Sequence, residues 1–414
     1  MAPSPARPVV VTGIGVIAPT GVGRVPFWDA VREGRSALGA LTRFDASGFP
    51  SRVAGQVPNH GWAHRLEARV RRTSGPATQL LLVAGLLALE DAGVDPTAVA
   101  PERRGVQVGT ALGGWRTAEE QMDVLRARGP RRVNPFLANG APPYSPGAAL
   151  ATLVGAEGMQ TSFTSGCPAS LQAIAHGAAA VARDELDLCL VGGVERPLAE
   201  IVIAGMGRTH ELYGGHDDPA VASCPFDARH AGMVLSEGAC VLVLESLAGA
   251  MARGARPLAR VLGAADSCDA RGLYGPGDGS AGARAVLTAL GRAGRAPDDV
   301  GWVCAHANSS PAFDLKEAMV LRRTFGARAA RLPVSSIKGV LGHALGASGA
   351  LQTATAALAL ARGTLPPTAN LVRPAEGCEL GHVIGEARPA RAGVAVVTSY
   401  GYGGVNSCLV LGEV

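Results

Sequence analysis

The chain has 414 residues, 47% hydrophobic and 17% charged, with a net charge of +4. This allows a large core in two or three domains, or one doubled domain, and excludes a disordered chain. The weak charge leaves no nucleic-acid footprint, and no run of about 18 apolar residues marks a membrane span. The N-terminal stretch MAPSPARPVVVTGIG lacks the basic and apolar regions of a secretory signal. The eight cysteines, at 167, 189, 224, 240, 268, 304, 378 and 408, form no C-x-x-C pair and no Cys/His metal spacing. The reading is a cytoplasmic protein in a reducing compartment, with no metal, cofactor, nucleic acid or membrane. All but two of the 38 basic residues are arginine, the exceptions being Lys316 and Lys338.

In chain order, VVVTGIGVIAP is an apolar strand that turns at its glycines, and Phe27 to Arg35 reads as helix. Leu41 to Ser74 is an irregular excursion rich in Gly, Pro and Arg. Gln79 to Asp91 is an apolar helix closed by Gly93. Arg104 to Gly114 is a strand running into a glycine turn, and Arg126 to Val133 is a basic patch. A β-like run ends at Gly166. Apolar residues then recur at Leu171, Ile174, Ala175 and Ala178, the spacing of one helix face. Leu186 to Arg196 reads as a buried strand ending in a Gly turn, and Ser236 to Cys268 as strand, helix, strand. A helix from Ala281, the strand VGWVCAHA, a helix from about Phe313, the strand and turn VSSIKG and the long helix SGALQTATAALALARG follow. The final GVAVVTSYGYGGVNSCLVLGEV reads as two strands joined by a Gly-rich turn. Strands alternate with helices throughout, so the class is α/β with largely parallel sheets. The division falls near residue 250, giving halves 1–250 and 251–414 whose similar content is compatible with a duplication.

Cys167 sits at the corner from strand to helix, and Pro168 after it suits the first helical position, where a missing N–H is no loss. A helix N-terminus carries partial positive charge and free N–H groups, which lower a thiol's pKa and favour the thiolate. Most cysteines are small buried apolar side chains, so a nucleophile needs polar partners close in space, histidine above all. Two histidines have unusual settings. His306 ends an apolar strand, where a parallel sheet faces its ligand crevice. His343 lies in KGVLGHALGASGA, among small residues that permit close backbone approach.

Several segments in order resemble the β-ketoacyl synthases of the condensing-enzyme (thiolase-like) superfamily, closest in pattern to the elongating synthases of type II fatty acid and polyketide systems. They are VVVTGIGVIAPTG, GCPASLQAIAHGAAAV, PFDARHAGMVLSEGACVLVLE, HANSSPAFDLKE, SSIKGVLGHALGASGA, GTLPPTANL and SYGYGGVNSCLVL. The resemblance spans nearly the whole chain. It implies a thiolase-like fold, two related α/β halves in an α-β-α-β-α layering. It implies an acyltransferase in which Cys167 accepts an acyl group, His306 and His343 are the active-site imidazoles, and Lys338 is the supporting lysine, ion-paired with Glu317. The reaction it implies is decarboxylative condensation of that acyl group with malonyl-acyl carrier protein. The oxyanion hole would use the backbone N–H groups of Cys167 and of the gate residue Tyr402. Asn308 and Ser310 would bind the carrier arm, and Leu112 and Met233 would line the acyl channel. The partners implied are acyl carrier protein and a second subunit, as a homodimer or with a chain-length-factor-like subunit.

The chain departs from the family pattern at several of these positions. Ala307-Asn308-Ser309-Ser310 stands for Gly-Thr-x-Thr, His230-Ala231-Gly232-Met233 for Arg-Asp-Gly-Phe, Tyr402 for the usual Phe, and Pro168 for Ser or Thr. These differences point to specialised metabolism. Arg65, Arg69, Arg71, Arg72, Arg126, Arg128, Arg131 and Arg132 offer a docking face for an acidic carrier, or are simply solvated arginines. Other readings fit less well. A silent chain-length-determining partner subunit usually lacks the Cys. A degradative thiolase wants a second Cys where Tyr402 stands. An initiating synthase pairs His with Asn. A carrier-binding module would leave the two histidines unexplained.

Overall fold

The computed structural model describes residues 6–59, 61–215, 218–272, 275 and 277–414. Ten principal strands and six principal helices carry the architecture, and only these are labelled here. The first part of the chain holds β1 (Val9–Ala18), α1 (Pro76–Ala92), β2 (Arg104–Gly109), α2 (Ser145–Val154), β3 (Gln160–Phe163), α3 (Ala169–Ala182), β4 (Leu188–Glu195) and β5 (Gly238–Ser246). The second holds β6 (Ala259–Cys268), α4 (Ser280–Arg292), β7 (Trp302–Cys304), α5 (Pro311–Phe325), β8 (Pro333–Ser335), α6 (Ser348–Arg362), β9 (Val394–Tyr400) and β10 (Val405–Gly412).

The two parts repeat each other strand by strand. The first is ordered β3-β2-β4-β5-β1 and the second β8-β7-β9-β10-β6. Pairing senses repeat as well. β2 is parallel to β3 and β4, while β5 is antiparallel to β4 and β1. Likewise β7 is parallel to β8 and β9, while β10 is antiparallel to β9 and β6. The sheet is therefore mixed, which corrects the expectation of a largely parallel one. The short turn from β9 to β10 requires an antiparallel pair, since a parallel return needs a long crossover. β1 and β6 pair over Val9–Val11 and Ala259–Val261, joining everything into one twelve-stranded sheet with the short edge pieces Gly21–Val22 and Gly381–His382.

Helices α3 and α6 touch each other and strands of both parts, so they form the middle of five layers. α1 and α2 cover the outer face of the first part, and α4 and α5 that of the second. This is the thiolase-like α-β-α-β-α arrangement. Every residue of α6 from Ser348 to Leu360 is buried, which explains its small and apolar composition on all sides.

Two glycine readings are corrected. β1 does not turn at its glycines but runs unbroken over ten residues. A Cβ on Gly15 would lie 1.9 Å from the Ala84 carbonyl oxygen, so glycine there lets α1 lie directly on the strand. β4 also continues through Gly192 and Gly193 to Glu195. A Cβ on Gly193 would meet the Ser170 side chain at 2.6 Å, at the first turn of α3. No helix among the described residues is long and apolar enough to cross a membrane.

Candidate active site

Four connections converge at the carboxyl ends of strands: β3–α3 with Cys167, β7–α5 with His306, β8–α6 with His343, and β9–β10 with Tyr402. The repeat relates the first to the third, so nucleophile and imidazole occupy equivalent turns of the two parts. Parallel strands gather their following loops on one edge, where ligands bind in such sheets. The N-terminal turns of α3 and α6 lock together there. The Ala350 N–H bonds the Ser170 hydroxyl at 2.9 Å, and a Cβ on Gly349 would lie 2.8 Å from the Leu171 nitrogen.

Gly166 adopts φ 76°, a left-handed turn that ends the approach to the corner. β3 itself stops at Phe163. Pro168 is the N-cap rather than the first residue of α3, one position earlier than predicted, and its carbonyl accepts the Leu171 N–H at 2.9 Å. Cys167 thus stands at the helix start as expected, and it is only 8% exposed.

Its Sγ lies 3.2 Å from His343 Nε2, and His343 Nδ1 lies 3.0 Å from the Ser348 hydroxyl. With Ser348 donating to Nδ1, the Nε2–H of His343 points at the sulfur. The His306 ring stands at 88° to that of His343, with centroids 5.2 Å apart. His306 is fully buried, and neither of its ring nitrogens has a hydrogen-bond partner among the described residues. A buried polar group left unpaired costs on the order of 1–3 kcal/mol, so this imidazole suits a ligand atom rather than the resting fold.

Burial pushes the Cys167 thiol up to about 12; Lys338 pulls it down and Glu195 pushes it further up. Both imidazoles are held well below their ordinary range by burial, with the Lys338 charge adding to it. Lys338 itself is pushed down to about 8 by burial. The expected lowering of the thiol by the helix N-terminus is therefore reversed: desolvation of a fully enclosed sulfur outweighs it. The resting pocket holds a neutral thiol beside two neutral imidazoles.

The expected Lys338–Glu317 ion pair does not form. The Lys338 ammonium donates to the His306 carbonyl and, at 3.4 Å, to Gln352 Oε1. Glu317 accepts the His306 N–H at 2.7 Å and the hydroxyls of Thr398 and Tyr400 at 3.0 and 3.2 Å. The two charges thus grip His306 from its carbonyl and amide sides. Gln352 completes this frame by donating to the Ala305 and Thr398 carbonyls at 2.9 and 3.1 Å.

Asn308 and Ser310 are buried beside His306, with the Asn308 amide oxygen and the Ser310 hydroxyl engaged internally. Asn308 Oδ1 accepts the Ser310 N–H at 3.1 Å, and the Ser310 hydroxyl donates to Glu211. A carrier arm would have to exchange these bonds to use them. The buried Asp314 carboxylate organises this turn. It accepts the N–H groups of Asn308, Ser309 and Phe226 at 2.9, 3.1 and 2.7 Å, and its Oδ2 lies 2.9 Å from His230 Nδ1. Ser309 and Phe226 are both left-handed, at φ 72° and 65°, a strained state for side-chain-bearing residues. One carboxylate anchors both.

Leu112, Met233 and Tyr402 share one apolar cluster with Cys167, together with Leu198, Val202 and Leu345. The Gly-rich turn presses on the nucleophile: a Cβ on Gly401 would lie 2.9 Å from Pro168 Cδ and 3.4 Å from the Cys167 nitrogen. The Tyr402 and Phe313 rings pack edge to face at 5.7 Å. Four residues of the site escaped the sequence reading: Glu195, Asp314, Ser348 and Gln352. A charged residue closing the apolar strand LCLVGGVE was the available signal for Glu195. The others lie inside recognised segments and are separated from their partners by folding.

The family model described as the beta-ketoacyl synthase N-terminal domain matches residues 6–250, and that for the beta-ketoacyl synthase C-terminal domain matches residues 258–372. The chain is 38% identical over 410 residues to the tetracenomycin polyketide synthase ketoacyl synthase alpha subunit of Streptomyces glaucescens, covering 97% of this chain and 96% of that protein. It is 36% identical to the 3-oxoacyl-[acyl-carrier-protein] synthase 2 of Coxiella burnetii, covering 99% of each. Among solved structures it is similar to the ishigamide ketosynthase/chain length factor, with a TM-score of 0.91 and 30% identity over 99% of this chain and 100% of that one. It is also similar to a type II polyketide synthase acyl-carrier protein in complex with its ketosynthase bound to the hexaketide, with a TM-score of 0.90 and 29% identity over 99% of this chain and 100% of that one.

Proposed function

The chain belongs to the beta-ketoacyl synthase family of acyltransferases, and from that membership we propose that it catalyses the decarboxylative condensation of an acyl group held on Cys167 with malonyl-acyl carrier protein. The observation that carries the reading is the Cys167–His343 contact at 3.2 Å beside a fully buried His306 whose ring nitrogens have no partner among the described residues. The product is a β-ketoacyl-acyl carrier protein in polyketide or specialised fatty acid synthesis.

The Cys167 sulfur attacks the carbonyl of an acyl thioester on the carrier's phosphopantetheine. The His343 Nε2–H hydrogen-bonds that sulfur as it attacks, and the thiol proton passes to the departing carrier sulfur. The tetrahedral oxyanion is bound by the Cys167 and Tyr402 N–H groups. The carrier leaves as the free thiol with that proton. Malonyl-carrier protein then enters. Its C–C bond breaks, CO2 departs, and the electron pair forms a thioester enolate whose oxygen accepts N–H bonds from His306 and His343. Neutral imidazoles suit this role, because they donate hydrogen bonds without delivering a full proton to the enolate. The enolate carbon attacks the acyl-Cys167 carbonyl, and collapse of that adduct breaks the C–S bond and releases the sulfur as a thiolate, which takes a proton from solvent to restore the thiol. Asn308 and Ser310 hold the carrier arm once their internal bonds are exchanged. Leu112 and Met233 line the acyl channel, and Tyr402 gates it.

The division between residues 1–250 and 251–414 assigns the nucleophile to the first part and both histidines and Lys338 to the second. The subunit assembles as a homodimer or with a chain-length-factor-like partner. Intact-protein mass spectrometry with acyl- and malonyl-carrier protein tests the scheme. Wild type should gain an acyl adduct and Cys167→Ala none, while His306→Ala should slow malonyl decarboxylation at least about a hundredfold. No adduct on Cys167 at any chain length would overturn the scheme and favour the silent-partner reading.

A further inference from the structure

Glu195 takes no part in the steps above, yet it is a fully buried carboxylate at the heart of the site. It ends β4, the strand equivalent to β9, which delivers the Tyr402 turn. Its Oε2 accepts the Ala111 N–H at 2.6 Å and the Gly346 N–H at 3.0 Å. Its Oε1 accepts the Leu112 N–H and the Thr110 hydroxyl, each at 3.1 Å. One carboxylate thus ties together two loops far apart in the chain. The first is the turn after β2 that carries the channel residue Leu112. The second is the segment after His343. The fit is tight: a Cβ on Gly346 would lie 2.4 Å from the Ala111 nitrogen. Leu345, between His343 and Gly346, is held at φ 34° and packs in the same apolar cluster as Cys167 and Leu112. A strained residue persists only where its surroundings over-determine it, and the Gly346 N–H bond to Glu195 lies at the adjoining residue.

We infer that Glu195 is a positioning residue that locks the floor of the acyl channel to the His343 loop, so that chain length is read in one register with the Cys167–His343 pair. The inference rests on the condensing-enzyme reading for its chain-length part. Its electrostatic part does not. The charge of the Glu195 carboxylate opposes ionisation of the Cys167 thiol, while that of Lys338 favours it. His306 and His343 are the imidazoles of this pocket, with Tyr402 in the Cys167 cluster and Glu317 behind His306. Burial raises the Glu195 carboxyl to about 7, and its four donors pull against that rise. Its charge, and with it the opposition to the thiolate, is therefore present above that pH and fades below it.

The test uses Glu195→Gln and Glu195→Asp in the full-length protein, with two readouts. The first is the rate of Cys167 alkylation by iodoacetamide from pH 6 to 9, read at this residue by peptide mass spectrometry; it needs no carrier protein. Glu195→Gln removes the charge and should react about threefold or more faster than wild type at pH 8, half a pKa step or more. The gap should close toward pH 6. Glu195→Asp keeps the charge and should track wild type. The second readout is the chain-length distribution of products on the carrier. Both variants should broaden or shift it, because a shorter side chain, or an amide that cannot accept at both atoms, releases one loop. An alkylation profile for Glu195→Gln that superimposes on wild type, or an unchanged length distribution in both variants, overturns the inference. Should the Gln variant not fold, the Asp variant alone decides by its length distribution. A wild type that alkylates normally yet makes no condensation product would instead count against the proposed reaction.

Discussion

Cys167 shows how one residue's chemistry is settled by its enclosure. At an exposed helix start the N-terminal partial charge would dominate and stabilise a thiolate. Here burial prevails and raises the thiol to about 12, with Lys338 as the opposing charge. The sign of the consequence is direct: the charged form is the disfavoured one, so reactivity grows with pH beyond the range where an ordinary thiol levels off. The rate of Cys167 alkylation should still be climbing above pH 9. Lys338→Met removes the one favourable charge and should slow that reaction at pH 7 by about threefold or more. The comparison is best made near pH 7, below the value of about 8 at which Lys338 begins to lose its own charge. Equal rates in the two proteins would show that Lys338 acts only by holding the His306 carbonyl. His306 is the complementary case. Its backbone is gripped by Glu317 and Lys338 while its ring is left unbonded among the described residues. Position is supplied by the fold, and hydrogen-bonding capacity is kept for the substrate.

At the scale of elements, close backbone approach replaces side-chain packing wherever a helix must bring its end into the site. Glycine in β1 and β4 serves that approach and not a turn, which is why the strands continue through positions that read as breaks. The cost of filling such a gap is measurable. Gly15→Ala places a Cβ within 2 Å of the Ala84 carbonyl oxygen and should destabilise the protein by about 1–3 kcal/mol, the range for overpacking. A Cβ on Gly39 would meet no atom within 4 Å, and that residue is not left-handed, so Gly39→Ala should stay within about 0.5 kcal/mol. Denaturant midpoints of the two variants provide the comparison. Equal midpoints would mean that α1 can move off the sheet freely.

At the scale of the whole molecule, the ordering β3-β2-β4-β5-β1 against β8-β7-β9-β10-β6 makes the site a product of the repeat. Equivalent loops of the two parts meet across the middle layer of α3 and α6, and neither part alone carries both the nucleophile and its imidazoles. The surface arginines divide by what they already hold. Arg65 pairs with Glu90, and Arg71 donates to the Ala63 and Leu66 carbonyls of its own loop. Arg69 and Arg72 are exposed on the same short helix. They are therefore the cleaner pair for testing carrier docking than Arg71. Arg69→Glu combined with Arg72→Glu should lower carrier-dependent acylation about tenfold at low salt, with the deficit shrinking as salt rises. Alkylation of Cys167 by a small reagent should be unaffected. Carrier kinetics that do not change would assign these arginines to solvent alone.

The alternation of strand and helix, the corner at Cys167, the small-residue composition of α6 and the segments around His306, Lys338 and His343 were all legible along the chain. The first three depend on local spacing and composition, and the segments around the two histidines and Lys338 on their resemblance to a known family. What only the tertiary structure decided is which distant groups face one another. Glu195 meets Gly346 across 151 residues, and Lys338 bonds the His306 carbonyl instead of Glu317. The direction of the Cys167 shift was decided in the same way, because desolvation depends on everything packed around the sulfur and on nothing in its own neighbourhood of sequence.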